Sequence, residues 1–205
     1  MYAYLDAIDS PVGPIAFAAD GDGALLGVTF LEGPAALTLE QELERDGYRI
    51  RDPGGVTAPA RRQLCDYFAG TRVSFDVPLV LRGSAFQQRV WSELRRIPFA
   101  EVRTYAQIAK AIGRPTAARA VGRANATNRI PIIIPCHRVI GADGSLTGFG
   151  GGLGLKARLL SFEAAQGASG PLFLTPPAAM GSAPVRAPIG TRGFGHHPER
   201  GRRDP

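Results

Sequence analysis

The chain has 205 residues, of which 44% are hydrophobic and 20% charged, with a mean hydropathy of −0.03, a balance typical of globular proteins that excludes disorder throughout. No apolar run approaches the roughly 20 residues that cross a bilayer, and the opening MYAYLDAIDS lacks the basic-then-apolar order of a signal peptide, so a cytoplasmic protein without a membrane partner is expected. The formal net charge of +6 is uneven: residues 1–82 carry seven basic against twelve acidic side chains, residues 83–165 twelve against four, and residues 166–205 five against two.

The step in charge near residue 82 predicts two modules, the second facing a polyanion such as nucleic acid. A basic surface kept for solubility is the plainer alternative. The first module opens with strands over 2–8, 15–19 and 24–31, separated by Ser10-Pro11-Val12-Gly13-Pro14 and by Gly21-Asp22-Gly23, which reads as an antiparallel meander. Helices are predicted over 35–45 and 59–69, ending before Gly47 and Gly70, with Leu64, Tyr67 and Phe68 spaced to share a buried stripe. The module is α+β and carries no obvious chemistry. Cys65, with no histidine or cationic pattern beside it, reads as a small core residue.

In the second module Ser84 is a candidate N-cap for a helix whose apolar residues Phe86, Val90, Trp91, Leu94 and Ile97 recur at helical spacing, stopped by Pro98. A short helix from Tyr105 to Gly113, a turn at Arg114-Pro115, and a second helix over 116–124 carrying Arg119 and Arg123 form a helix-turn-helix pattern. Many helical hairpins never touch DNA, but the basic excess of this module favours that use. From Gln166 onwards seven Gly and seven Pro interrupt a stretch without apolar periodicity, which is expected to be disordered, with Arg200, Arg202 and Arg203 adding weak attraction to phosphates and His196 and His197 solvated.

Two cysteines 71 residues apart and a single histidine outside the tail offer neither a disulfide framework nor a metal-ligand spacing, so no metal is expected. That histidine, His137, follows Cys136 in Ile134-Pro135-Cys136-His137-Arg138-Val139. On a regular strand the two side chains would point to opposite faces, so their cooperation requires irregular backbone, for which Pro135 supplies a cause. A neutral imidazole, directly or through one water, would accept the thiol proton and give the nucleophilic thiolate. A carboxylate behind the histidine is then wanted, and Glu93, Glu101, Asp143 and Glu163 remain open on spacing. A buried structural thiol at the end of an apolar strand is the competing reading.

These residues resemble a known family. Phe86-Gln87, Val90-Trp91, Ile97-Pro98, Thr104-Tyr105, Ile112-Gly113-Arg114-Pro115, Arg119-Ala120-Val121-Gly122, Asn128, the Pro-Cys-His-Arg run, Gly151-Gly152-Leu153, Lys156 and Glu163 are together similar to the O6-alkylguanine-DNA alkyltransferases over residues 83–165. Residues 1–82 more loosely resemble the ribonuclease-H-like domain that precedes the catalytic domain in bacterial members. The resemblance implies an α+β fold: a ribonuclease-H-like module over 1–82, a helical catalytic and DNA-binding domain over 83–165, and a tail over 166–205. It implies that Cys136 accepts the alkyl group, His137 takes its proton, Glu163 orients the imidazole, Tyr105 donates to N3 of the departing guanine, and Asn128 positions the active-site backbone. The second helix, with Arg119 filling the gap left by a rotated nucleotide and Ala120, Gly122 and Arg123 beside it, would enter the minor groove, with Thr104 also against DNA. Phe149, Gly150 and Gly151 would wall the base pocket, and Arg129, standing where many members have proline, would contact DNA.

The implied activity is irreversible, single-turnover transfer of an alkyl group from O6-alkylguanine, with O4-alkylthymine as a further substrate, in double-stranded DNA, by a monomer without a cofactor. The alternatives are a non-catalytic alkyl-lesion sensor, a helix-turn-helix regulator and a cysteine hydrolase. Cys136 followed by His137 speaks against the sensor, the absence of spare cysteines for a regulatory metal domain against the regulator, and the helix-turn-helix against the hydrolase.

Overall fold

A computed structural model describes residues 1–32 and 38–167. The start of the helix predicted over 35–45 and, beyond Gly167, the tail with His196, His197, Arg200, Arg202 and Arg203 lie outside the described residues.

The chain begins with the expected meander: β1 (Tyr2–Ile8), β2 (Ile15–Ala19) and β3 (Leu25–Phe30) pair antiparallel. After α1 (Thr38–Arg45), a fourth strand, β4 (Arg49–Arg51), lies parallel to β1 and completes the order β3-β2-β1-β4. The strand β4 is not legible in the sequence, because the alternation of Arg49-Ile50-Arg51 is only three residues long, short of the four or so that make a readable period. The helix α2 (Ala58–Phe68) packs on β1, and Asp6 of that strand accepts from Thr57 Oγ1 at 2.7 Å and Arg61 Nε at 2.9 Å, anchoring the start of α2 to the sheet. Leu64, Tyr67 and Phe68 are buried as their spacing predicts. Cys65 is exposed, which corrects its reading as a core residue: with 64, 67 and 68 turned inward, position 65 falls on the outer arc of the helix.

In the second half, α3 (Ala85–Leu94) begins at Ser84, whose side chain accepts from Gln87 N while Gln87 Oε1 accepts from Ser84 N at 2.8 Å, a capping box. Val90, Trp91, Leu94 and Ile97 are buried, and Phe86 packs partly buried against them. A second capping box, Thr104 with Gln107, opens α4 (Tyr105–Ala111). Gly113, at φ +71°, turns the chain in a conformation that side chains with a Cβ avoid, and α5 (Ala118–Ala126) follows. The second helix starts two residues later than predicted, because Ala117 N donates to Arg114 O and closes a turn there instead. Two short strands, β5 (Arg103–Thr104) and β6 (Val139–Ile140), pair in parallel, and α6 (Leu153–Gln166) ends the described chain.

The charge step at residue 82 falls in the connector between α2 and α3, yet the core is continuous across it. Ile15, Phe17, Leu64 and Tyr67 of the first half share one cluster with Val90, Leu94, Ile134, Cys136 and Leu159 of the second. The outer side of β3 is covered as well: Leu25 N donates to Pro78 O, Val80 N to Leu25 O, and Val28 N to Arg129 O at 2.8 Å. These bonds cover part of the outer edge of β3, and the segment approaching Cys136 is docked on the first half through Arg129 O.

Candidate active site

Cys136 opens a 3₁₀ turn, Cys136–Arg138, at the end of a coiled apolar segment rather than a strand. The irregular backbone expected from Pro135 is present, and it turns the side chains of Cys136 and His137 out of strand alternation. The preceding segment is held in an unusual shape: buried Ile132 has φ +74°, a costly conformation for a β-branched residue. Asn128 fixes it from three directions. Its Oδ1 accepts from Ile130 N at 3.0 Å, and its Nδ2 donates to Ile134 O at 2.9 Å and to the Cys136 sulfur at 3.1 Å.

The thiol is 4% exposed. Burial pushes its pKa up, opposed by the Asn128 hydrogen bond and the positive charge of Lys156. Lys156 is itself fully buried; its ammonium donates to Val139 O and, at 2.6 Å, to Thr147 O, and burial depresses its pKa to about 8. A thiol held protonated by burial needs a base to become a nucleophile, and the candidate, His137, is the next residue in the chain.

His137 is fully buried, with Nε2 2.9 Å from Glu163 Oε1. Burial lowers the histidine pKa, and the bond to Glu163 opposes that shift. The pKa of Glu163 is raised by its own burial, but His137 and Arg138 outweigh this and hold the carboxyl well below the usual carboxylate range. An ionised Glu163 can only accept, so Nε2 carries the proton and Nδ1 is the basic nitrogen; Nδ1 has no partner among the described residues. Of the four acids left open by spacing, Glu163 is the one at the imidazole. Glu93 pairs with Arg96, Glu101 with Arg103, and Asp143 accepts from Ser145.

Glu163 collects further donors that the sequence reading missed. Arg138 grips it through Nε at 2.9 Å and Nη2 at 2.7 Å while Nη1 reaches Ile97 O at 2.7 Å. Ala100, with φ +61°, donates its backbone N–H to Oε2 at 3.1 Å. Tyr67, from α2 in the first half, donates its hydroxyl to Oε1 at 2.7 Å. One signal for Lys156 was present: it shares with Leu159, Leu160 and Glu163 the i, i+3, i+4, i+7 spacing of a single buried helix face. Nothing in the sequence marks the hydroxyl of Tyr67.

Cys136 lies at a cleft of about 780 Å³ bounded by Val28 and Phe30 of β3, by Asn125 and Asn128, and by Phe149, Gly150 and Gly151. The Phe149 ring leans on Phe30 with centroids 6.2 Å apart. A Cβ on Gly151 would come within 2.6 Å of Leu155 and 3.0 Å of the Phe149 ring, which accounts for glycine at that wall. The side-chain amide of Asn125 is buried without a hydrogen-bond partner among the described residues. Tyr105, packed over Gly122, donates to Thr147 O at 2.9 Å, so its hydroxyl is already engaged in the free protein.

The residues expected to meet DNA divide in two. Arg119 and Arg123, one helical turn apart, are exposed on α5, their side chains without a hydrogen bond or ion pair among the described residues, and Ala120 and Gly122 lie half-buried between them. Thr104 uses its hydroxyl to cap α4. Arg129 corrects the expectation of a DNA contact: its guanidinium pairs with Glu42 at 3.3 Å and Asp46 at 2.6 Å on and just after α1.

Residues 2–81 match the 6-O-methylguanine DNA methyltransferase ribonuclease-like domain, and residues 85–165 match the DNA-binding domain of the same family. A methylated-DNA–protein-cysteine methyltransferase of Mycobacterium bovis is 51% identical over 156 residues, covering 76% of this chain and 89% of that protein. One from Methanosarcina acetivorans is 46% identical over 160 residues, covering 78% and 97%. Among solved structures, the O6-methylguanine methyltransferase of Mycobacterium tuberculosis superposes with a TM-score of 0.70 at 46% identity, covering 82% of this chain and 96% of that one. A structure of the M. tuberculosis protein in complex with DNA gives 0.68 at 45% identity, covering 80% and 94%.

Proposed function

The chain belongs to the 6-O-methylguanine DNA methyltransferase family, and from that membership we propose that it repairs DNA by direct reversal, moving a methyl or small alkyl group from O6 of guanine onto Cys136 in one irreversible turnover. The observation that carries this reading is the buried Cys136 thiol, held by Asn128 and followed by the His137–Glu163 pair, at a cleft with room for a purine base.

His137 Nδ1 takes the thiol proton through one water, leaving a thiolate that faces the Asn128 amide and the nearby Lys156 charge. The sulfur forms a bond to the alkyl carbon as the carbon–O6 bond breaks in line. The electron pair leaves with guanine as an anion spread over O6 and N1, and the proton held by His137 returns to neutralise the base. Tyr105, whose ring lies against Gly122 of α5, turns from Thr147 O to N3 of guanine and offsets the developing charge. The thioether is a poor leaving group, and the protein is consumed.

An O6 substituent within a duplex cannot reach a thiol that is 4% exposed, so the nucleotide must leave the stack. Arg119, unengaged and exposed on α5, fills the gap; Ala120 and Gly122 keep that helix slim enough for the minor groove, and Arg123 and Thr104 lie along the backbone. Phe149, Gly150 and Gly151 enclose the base. Residues 83–165 thus carry the reaction and the DNA contacts, residues 1–82 support them as the ribonuclease-like domain, and the protein acts as a cytoplasmic monomer.

The test is the intact mass of the protein after mixing with a duplex containing one O6-methylguanine. The expected result is a gain of one methylene on the Cys136 peptide, absent in Cys136→Ala. A wild-type protein that binds the duplex without gaining mass would make it a lesion sensor.

A further inference from the structure

The donor that Glu163 receives from the first half of the chain has no packing reason to exist. The ring of Tyr67 is fully buried among Phe68, Phe75, Phe99 and Phe162, with centroids 4.9 to 5.8 Å away, so a phenylalanine would fill the same space. Its hydroxyl is the one polar atom the ring brings into this cage, and its hydrogen bond among the described residues goes to Glu163 Oε1 at 2.7 Å. A buried hydroxyl is costly unless it is bonded, and a bond to an ionised oxygen is among the stronger kinds. Oε1 is also the atom that faces His137 Nε2.

We propose that Tyr67 is a positioning residue for the alkyl transfer: through its hydrogen bond to Glu163 Oε1, the ribonuclease-like half sets the orientation of Glu163 and the basicity of His137. The inference rests on the functional reading above and extends it to a residue outside the catalytic half. Three residues share that oxygen: Tyr67 through its hydroxyl, His137 through Nε2 and, at 2.7 Å, Arg138 through Nη2. Negative charge drawn toward the Tyr67 hydroxyl is withdrawn from the His137 N–H, which keeps the imidazole less basic and therefore neutral and proton-accepting at lower pH.

The groups that bear on this pair are few. On the 3₁₀ turn, His137 and Arg138 touch the Glu163 carboxylate directly and Cys136 precedes them. On α6 itself, Lys156 adds positive charge felt by both Cys136 and His137. From α2, Tyr67 is the only titratable contact of the carboxylate, and its own hydroxyl is held protonated, first by burial and then by the negative charge of Glu163. Ala100 contributes a backbone N–H, which does not titrate. Removing the Tyr67 hydroxyl leaves all the other charges in place, so the direction of the change is fixed. Glu163 becomes a stronger acceptor for His137, and the imidazole pKa rises.

The experiment is the single-turnover rate of methyl transfer by the full chain, wild type and Tyr67→Phe, to a duplex with one O6-methylguanine across the acid and neutral pH range. The acid limb, where His137 becomes protonated, moves up by about half a pH unit in Tyr67→Phe, while the rate on the neutral plateau stays within a few-fold. 3-Fluorotyrosine at position 67, a stronger donor of nearly the same shape, moves the limb the opposite way, which keeps the test valid should the phenylalanine variant fold poorly. A limb that stays in place in both, or a rate that falls by one factor at every pH, overturns the proposal and leaves Tyr67 as packing alone. Titration of the His137 ring by NMR reads the same shift without substrate. A chain that transfers no methyl group would therefore sink the functional reading, while the NMR shift still decides this one.

Discussion

Cys136 and Glu163 occupy equally buried positions and meet opposite fates. The thiol has one side-chain donor, Asn128, and burial pushes its pKa up, whereas the carboxylate has donors from Tyr67, Ala100, His137 and Arg138 and stays ionised. Both Glu163 and His137 have folded-state pKa values below their ordinary ones, so the unfolded chain binds more protons than the folded one on the acid side. For His137 the loss of stability starts as the pH drops below about 6.5, and for Glu163 below about 4.3, continuing through the lower folded values. The urea midpoint should therefore fall steadily from neutral to acid pH. Glu163→Gln should remove the carboxylate's share of that slope while costing about 3 to 5 kcal/mol at neutral pH, because it strands the Arg138 charge in the interior. A midpoint insensitive to acid in the wild type would show that these groups are not buried as described.

At the scale of elements, the proposed function has the helix pair α4–α5 approach DNA, and its composition gives up some helix stability. Gly122 lies inside α5, where a glycine weakens a helix, yet a Cβ there would meet only the Tyr105 ring at an ordinary 3.8 Å. Gly122→Ala should raise the thermal stability of the free protein by about 0.5 to 1 kcal/mol and weaken binding to duplex DNA, since the added methyl widens the face offered to a narrow groove. Calorimetry and fluorescence anisotropy check the two halves of this statement. A variant that is more stable and binds DNA as before would place the groove contact elsewhere on the helix.

Across the whole molecule the two halves are joined by charge as well as by core. Arg129 answers Glu42 and Asp46, and Arg158 answers Glu32, so part of the basic excess of residues 83–165 is matched internally by acids of the first half. Arg119 and Arg123 keep exposed side chains with no ion pair among the described residues, and on the proposed function theirs is the charge offered to DNA. Arg119→Ala should lower DNA affinity and reduce its steepness in salt, because each lost phosphate or groove contact removes released counterions. Arg129→Ala should leave affinity within about two-fold, since its exposed ion pairs contribute about 0 to 1 kcal/mol and face the first half. Anisotropy titrations at two ionic strengths separate the variants, and equal losses in both would return Arg129 to the DNA surface.

Local rules in the sequence determined most of the elements: the meander punctuated by Gly and Pro turns, the capped α3 and α4, the helix-turn-helix, and the need for bent backbone at Pro135-Cys136-His137. They also marked Cys136 and His137 as candidates for nucleophile and base, because those two are adjacent in the chain. Spacing left four acids open as partner of the histidine, the family resemblance pointed to Glu163, and the fold puts that residue at the imidazole by bringing α6 across the 3₁₀ turn. The tertiary structure alone decided the parallel strand β4, the outward face of Cys65, the pairing of Arg129 with α1, and the Tyr67 hydroxyl on Glu163. Periodicity and capping act between residues a few positions apart and leave a mark in sequence. A bond between residues 67 and 163 is made by two helices meeting in a shared core, and no local pattern has to announce it.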